Sequence, residues 1–145
     1  MSMTVTPEQR LLIEAECSRL IAAYCYYVDR RHYDELAALF TEDGVLDRGG
    51  NLTSGRDTIL AAMHQRPPQI ATRHMNGTPF FLSVTPDEVT AVTYMLMYVV
   101  EGTDAGPNEV PGTTGLAEFH DTFRRTDDGW RIAVRAAKPA MITKR

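Results

Sequence analysis

Val89-Thr90-Ala91-Val92-Thr93-Tyr94-Met95-Leu96-Met97-Tyr98-Val99-Val100 contains no glycine, proline or charged residue and is dominated by β-branched and aromatic side chains. Such side chains fit a pleated, packed surface, so the stretch predicts a long β-strand. Its end, Met95 to Val100, is apolar almost without interruption, which implies that both faces are covered. One face is assigned to a pocket and the other to a second subunit. Upstream, Thr85-Pro86-Asp87-Glu88 reads as a turn joining it to a strand over Thr78 to Val84. Downstream, Glu101 to Thr114 holds many glycines and prolines and reads as a loop. Leu116 to Thr126 and Trp130 to Ala137 then form a second hairpin around Asp127-Asp128-Gly129.

The first half of the chain has a different period. Thr6-Pro7-Glu8-Gln9 carries a helix start, with Thr6 as N-cap, Pro7 at the first position and Gln9 closing a capping box. Apolar residues recur at Leu12/Ile13, Cys17, Leu20/Ile21, Tyr24 and Val28, which predicts one amphipathic helix over about 7 to 28. A second helix is expected from Tyr33 to Phe40, stopped by Glu42-Asp43-Gly44. Val45 to Asp47 reads as a short strand and Arg48-Gly49-Gly50-Asn51 as a turn. A third helix begins near Ser54 or Asp57 and runs to about His64, ended by Pro67-Pro68. Three helices followed by long antiparallel strands predict an α+β fold, a cone-like barrel with helices packed on a curved sheet. The open end of such a cone is the natural place for a small ligand.

The chain has 145 residues, enough for one domain with its own core, and the whole of 1–145 is assigned to it. Hydrophobic residues make up 43%, charged residues 23%, and the net charge is −4. An acidic balance without a basic run argues against a nucleic-acid partner. No apolar run reaches membrane-spanning length and no signal-peptide pattern occurs, so a cytoplasmic protein with no membrane partner is expected. Cys17 and Cys25 lie about 12 Å apart along a helix, too far for a disulfide, and are read as reduced packing residues.

Asp29 breaks the helix pattern. It follows Ile21 and Cys25 at four-residue steps, extending an apolar column, and it sits near a helix C-terminus, where the macrodipole disfavours a carboxylate. Pairing with Arg30, Arg31 or a distant arginine is the plain reading; a site carboxylate is the functional one. His74 lies in Ala71-Thr72-Arg73-His74-Met75-Asn76-Gly77, just ahead of the first long strand. His32 and His64 fall at helix ends or in loops, and His120 alternates with Glu118 and Thr122 on a polar face. Tyr24, Tyr26 and Tyr27 cluster beside Asp29, and one phenol of this group is a candidate donor. Met95, Met97, Phe119 and Phe123 are apolar walls. Arg135, alternating with Ala133 and Ala137, points either into the cavity or to water. One histidine and one carboxylate are too few ligands for a metal site.

Tyr24, Asp29, Tyr33-Asp34, Leu36, Leu39-Phe40 and Asp43 together resemble the opening of SnoaL-like domains, in the nuclear-transport-factor-2-like superfamily. Gly55-Arg56-Asp57-x-Ile59 resembles the third helix of that family, Arg73-His74 its first pocket strand, and Phe123-Arg124-Arg125-Thr126-Asp127-Asp128-Gly129-Trp130-Arg131-Ile132 its final hairpin. The resemblance covers about residues 8 to 138. It is strongest to the branch holding scytalone dehydratase, bile-acid 7α-dehydratase and hexachlorocyclohexane dehydrochlorinase.

What that resemblance implies is a cofactor-independent lyase of dehydratase type acting on a small apolar or cyclic substrate. Asp29 and His74 match the family's dyad, Tyr24 a catalytic position five residues before the Asp, and Arg135 an arginine that assists the leaving group. Met97, Phe119 and Tyr26 are the expected substrate contacts. No cofactor is implied, and a homo-oligomer is expected, trimer or dimer. An isomerase, an epoxide hydrolase, a polyketide cyclase, or a non-catalytic ligand-binding or oxygenase small-subunit domain would use the same fold.

Overall fold

The structure is a computed structural model, described for residues 4–103, 106–110 and 114–142. Helix α1 spans Pro7–Arg30 and starts as its sequence dictates: the Gln9 backbone N–H donates to Thr6 Oγ1 at 3.1 Å and the Thr6 N–H donates to Gln9 Oε1 at 2.8 Å. It runs two residues past the expected end and closes on Arg31, held in the left-handed region at φ 60°. A side chain rarely adopts that conformation. Here the guanidinium is anchored far along the chain, Nη2 donating to the carbonyls of Pro67 at 2.8 Å and Ile70 at 2.6 Å.

Helix α2 (Tyr33–Ala38) is shorter than expected, because Phe40 opens strand β1 (Phe40–Arg48) instead of ending the helix. Glu42-Asp43-Gly44 is thus not a stop but an irregularity inside a strand, lying where the register with the last strand shifts. Gly44 is needed there. A Cβ would lie 2.9 Å from both Phe40 Cβ and the Thr41 carbonyl oxygen. Strand β2 (Asn51–Ser54) returns along β1 through a hairpin in which Gly49 and Gly50 both have positive φ, as the tight turn requires. Helix α3 covers Arg56–His64, and Arg56 Nε donates to the Phe40 carbonyl at 3.1 Å.

The remaining strands are β3 (Ile70–Asn76), β4 (Phe80–Val84), β5 (Glu88–Glu101), β6 (Thr114–Thr126) and β7 (Gly129–Ile142). The sheet order is β2-β1-β7-β6-β5-β3, with β4 also on β5. All described pairings are antiparallel except β1 with β7, which is parallel. β5 is the spine: β6 runs along one edge, while β4 and β3 share the other. The expectation that the first long strand starts at Thr78 is corrected, since Ile70–Asn76 is itself a strand with His74 opposite Met97. Residues 104, 105 and 111–113 of the expected 101–114 loop lie outside the described residues.

The α+β class stands. α1 lies across the curved sheet with Ile13, Cys17, Ile21, Tyr24 and Val28 buried against Phe40, Leu46, Met95, Phe119, Phe123 and Ile132. Cys17 and Cys25 are free and buried, and burial pushes their thiols up to about 12 and about 11. No described helix is long and apolar enough to cross a membrane. The face of the sheet turned away from α1 leaves Tyr94 exposed.

Gly44→Ala forces Phe40 or the Thr41 backbone to move and is expected to lose about 1–3 kcal/mol, the usual cost of overpacking. Gly77→Ala meets only the Tyr94 carbonyl at an ordinary 3.5 Å and is expected to stay within about 0.5 kcal/mol. Urea unfolding of both variants checks the contrast.

Candidate functional site

Asp29 is the penultimate residue of α1, and β3 meets its carboxylate with three donors. The Thr72 hydroxyl donates to Oδ1 at 2.8 Å, the His74 backbone N–H donates to Oδ2 at 2.8 Å, and His74 Nδ1 lies 2.5 Å from Oδ1. Thr72 and His74 sit two apart on one strand and so point to the same face. Asp29 is 4% exposed. Burial pushes its carboxyl up, but the hydrogen bond and charge of the imidazole, the His74 N–H and the Thr72 hydroxyl outweigh it. The net effect holds the carboxyl below its ordinary value. An ionised carboxylate only accepts, so Nδ1 is the donor, and in the neutral imidazole Nε2 keeps the lone pair.

That imidazole borders a cavity of about 240 Å³. Val28 of α1, Met63 of α3, Ile70 of β3 and Met97 and Val99 of β5 supply its apolar wall, and Tyr24, Arg48, Arg66, Thr72 and His74 its polar groups. Register explains the grouping, because Thr72 pairs with Val99 and His74 with Met97 on the inner face. The alternate residues face outward. Ala71, Arg73, Tyr98 and Val100 line a separate hollow of about 350 Å³ beneath residues 106–110. Arg73, beside His74 in sequence, is therefore on the far side of the strand, with Nη1 donating to the Thr72 carbonyl at 2.7 Å.

Two arginines lock this corner. Arg66 Nη1 donates to the Val28 carbonyl at 2.7 Å and to Tyr33 Oη at 3.1 Å, and its Nη2 donates to Thr72 Oγ1 at 3.1 Å. Arg31 Nη1 adds a donation to Tyr33 Oη at 3.2 Å. The Thr72 hydroxyl thus accepts from Arg66 and donates to Asp29. Arg31 engages carbonyls and a phenol, so the plain reading of Asp29 as its salt-bridge partner is overturned.

Tyr24 reaches the cavity from the side of α1, its ring edge-on to Phe40 at 6.2 Å and to Phe119 at 5.8 Å. Burial pushes its phenol up, against the lowering charges of Arg135 and Arg48. It is a neutral donor, and among the described residues its hydroxyl has no hydrogen-bond partner. Met97 lies on the cavity wall as expected.

Three expected site residues lie elsewhere. Tyr26 is 50% exposed, with the Arg30 guanidinium 4.0 Å over its ring. Two helical steps from Tyr24 turn it about 200° away, out of reach of the cavity. Phe119 is buried behind Tyr24. Arg135 is wholly buried and is bound by both oxygens of Asp121, Nε to Oδ1 at 2.8 Å and Nη2 to Oδ2 at 2.7 Å. Its guanidinium lies 3.8 Å from the Phe119 ring centre and 4.4 Å from that of Tyr24. It faces neither the cavity nor water; it backs the phenol that does face the cavity.

Thr72, Arg66, Arg48 and Asp121 were not singled out from the sequence. Parity was the available signal: Thr72 alternates with His74, Arg48 with the buried Leu46, and Asp121 with the buried Phe119 and Phe123. His120 does pair on the outer face, with Glu118 at 2.9 Å.

The sequence pattern of the SnoaL-like domain matches residues 9–136. The chain belongs to that family. Solved structures of similar fold include a proposed scytalone dehydratase from Novosphingobium aromaticivorans, with 24% identity, a TM-score of 0.82 and 95% of this chain and 91% of that one covered. A hexachlorocyclohexane dehydrochlorinase, LinA type 2, is 19% identical with a TM-score of 0.77, covering 92% and 89%. A proposed aromatic ring hydroxylase from Novosphingobium aromaticivorans is 18% identical with a TM-score of 0.77, covering 92% and 93%. These likenesses establish the fold. No curated protein matches. For this SnoaL-like chain the site must be argued from its own residues.

Two measurements check the electrostatics. Arg135→Ala leaves Asp121 buried and unpaired and is expected to cost about 3–5 kcal/mol in urea unfolding. For Asp29 the sign follows from a folded carboxyl below the ordinary 3.8: the unfolded chain takes up that proton first as the pH falls. The stability Asp29 contributes is complete above about pH 5 and is lost as the pH drops through the lower folded value. The unfolding free-energy gap between wild type and Asp29→Asn is expected to shrink between about pH 5 and about pH 3. A constant gap would contradict the assignment.

Proposed function

We propose that this SnoaL-like chain is a cofactor-independent lyase of the dehydratase type, acting on a small apolar or cyclic molecule. The observation that carries the reading is the Asp29–His74 contact at 2.5 Å beside an apolar cavity, with the imidazole 10% exposed. A bare Nε2 in a largely dry site is placed to act as a general base. His74 takes a proton from carbon, the C–H electron pair forms the new double bond, and the leaving hydroxyl departs with its bonding pair. The proton then returns from His74 to the hydroxide, and water leaves. Asp29 holds Nδ1–H, fixes the tautomer and stabilises the imidazolium while it lasts. Tyr24, kept protonated by burial, donates to the substrate oxygen on which charge develops. Arg135 acts through Tyr24 as a positioning residue. Two structural neighbours, the proposed scytalone dehydratase and the dehydrochlorinase, support an elimination by analogy.

Screening β-hydroxy carbonyl compounds for the ultraviolet absorbance of the conjugated product tests the reading. On any substrate so found, Asp29→Asn and His74→Gln are each expected to lower kcat by about 10²–10⁴-fold. Full turnover by either variant would sink the dyad as the catalytic pair.

A further inference from the structure

Arg48 ends β1 and enters the cavity wall beside Tyr24 and His74. Its Nε is shut off from solvent and has no hydrogen-bond partner among the described residues. Nearby carboxylates are already engaged: Asp47 Oδ1 accepts from the Gly50 N–H at 2.7 Å, Asp121 is bound at both oxygens by Arg135, and Asp29 is taken by β3. Arg66, the second cation on the wall, binds the Val28 carbonyl and the Tyr33 and Thr72 hydroxyls, and no carboxylate among the described residues. Among the described residues the cavity surface therefore carries two guanidinium groups and no anion, set in a lining of Val28, Met97 and other apolar side chains. Arg48 and Arg66 are half-buried, and a partly desolvated charge without a counter-ion is relieved by an incoming anion.

We propose that Arg48 makes this cavity a site for a small apolar carboxylate, whose charged end docks on the guanidinium and whose ring or chain fills the apolar wall. The planar fork of arginine matches a carboxylate, and its charge persists at any working pH. A volume of about 240 Å³ lies below the usual range of about 300–1,000 Å³ for drug-sized ligands, which suits a single-ring acid. Phosphate fits less well, since a dianion needs more free donors than this wall offers. The inference deepens the lyase reading by naming the substrate class, and it rests on the same cavity being the ligand site.

Calorimetric titration of the full chain with benzoate and cyclohexanecarboxylate, each against its neutral amide, tests it without requiring turnover. Wild type is expected to bind the acids about 10–100-fold more tightly than the amides, the worth of a charge-assisted hydrogen bond. Arg48→Met is expected to abolish that preference and Arg48→Lys to keep part of it. Equal binding of acid and amide, a preference that survives Arg48→Met, or no saturable binding of either acid would overturn the proposal. Carboxylate binding through Arg48 in a chain that turns over nothing would keep this inference and remove the lyase; turnover of neutral substrates alone would do the reverse.

Discussion

One carboxylate ties the end of a helix to the edge of a sheet. Asp29 sits where the macrodipole of α1 is unfavourable to it, and it is stable there because Thr72 and His74 present three donors from β3. Those bonds set the height of β3 against α1. The pairing of β3 with β5 then brings Met97 and Val99 under the imidazole. Arg31 and Arg66 reinforce the junction by taking up carbonyls of the α1 end and of the approach to β3. The contact that orders the corner also fixes which nitrogen of His74 carries the proton.

Charge is distributed unevenly around this corner. The pair deep in the sheet, Asp121 with Arg135, is neutral and sealed between two aromatic rings, so its task is to stiffen the support of Tyr24. Among the described residues Arg135 Nη1 has no partner, which leaves the buried pair short of full satisfaction. The cavity in front of it is the opposite case, with Arg48 and Arg66 on its wall and the Asp29 carboxylate withdrawn behind His74. Under the proposed elimination, such a lumen would favour proton removal that generates negative charge, because the resulting anion meets guanidinium groups instead of water.

Much of this was legible in the chain. The α1 start, the β5 spine and the last hairpin follow from local chemistry, and Asp29 announced itself by standing in the Ile21–Cys25 column. Non-local features were not legible. The residue pattern alone missed β3, which only the family resemblance marked as a strand, because its inner face is the polar site and its outer face is half-covered, which erases the usual alternation. Glu42-Asp43-Gly44 looked like a terminator because an irregular register with β7 has no local signature. Arg135 left two options open in the sequence, cavity or water; the cross-strand register to Asp121 selected neither. Tyr26 was misplaced for a simpler reason, adjacency to Asp29 in sequence outweighing the turn of the helix.

The central claim is that Asp29 makes Nε2 of His74 the bare nitrogen. Long-range proton–nitrogen correlation NMR of the neutral imidazole reads this directly. The account predicts the Nδ1–H tautomer in wild type and its loss in Asp29→Asn. An Nε2–H tautomer in wild type, or a tautomer indifferent to residue 29, would contradict it.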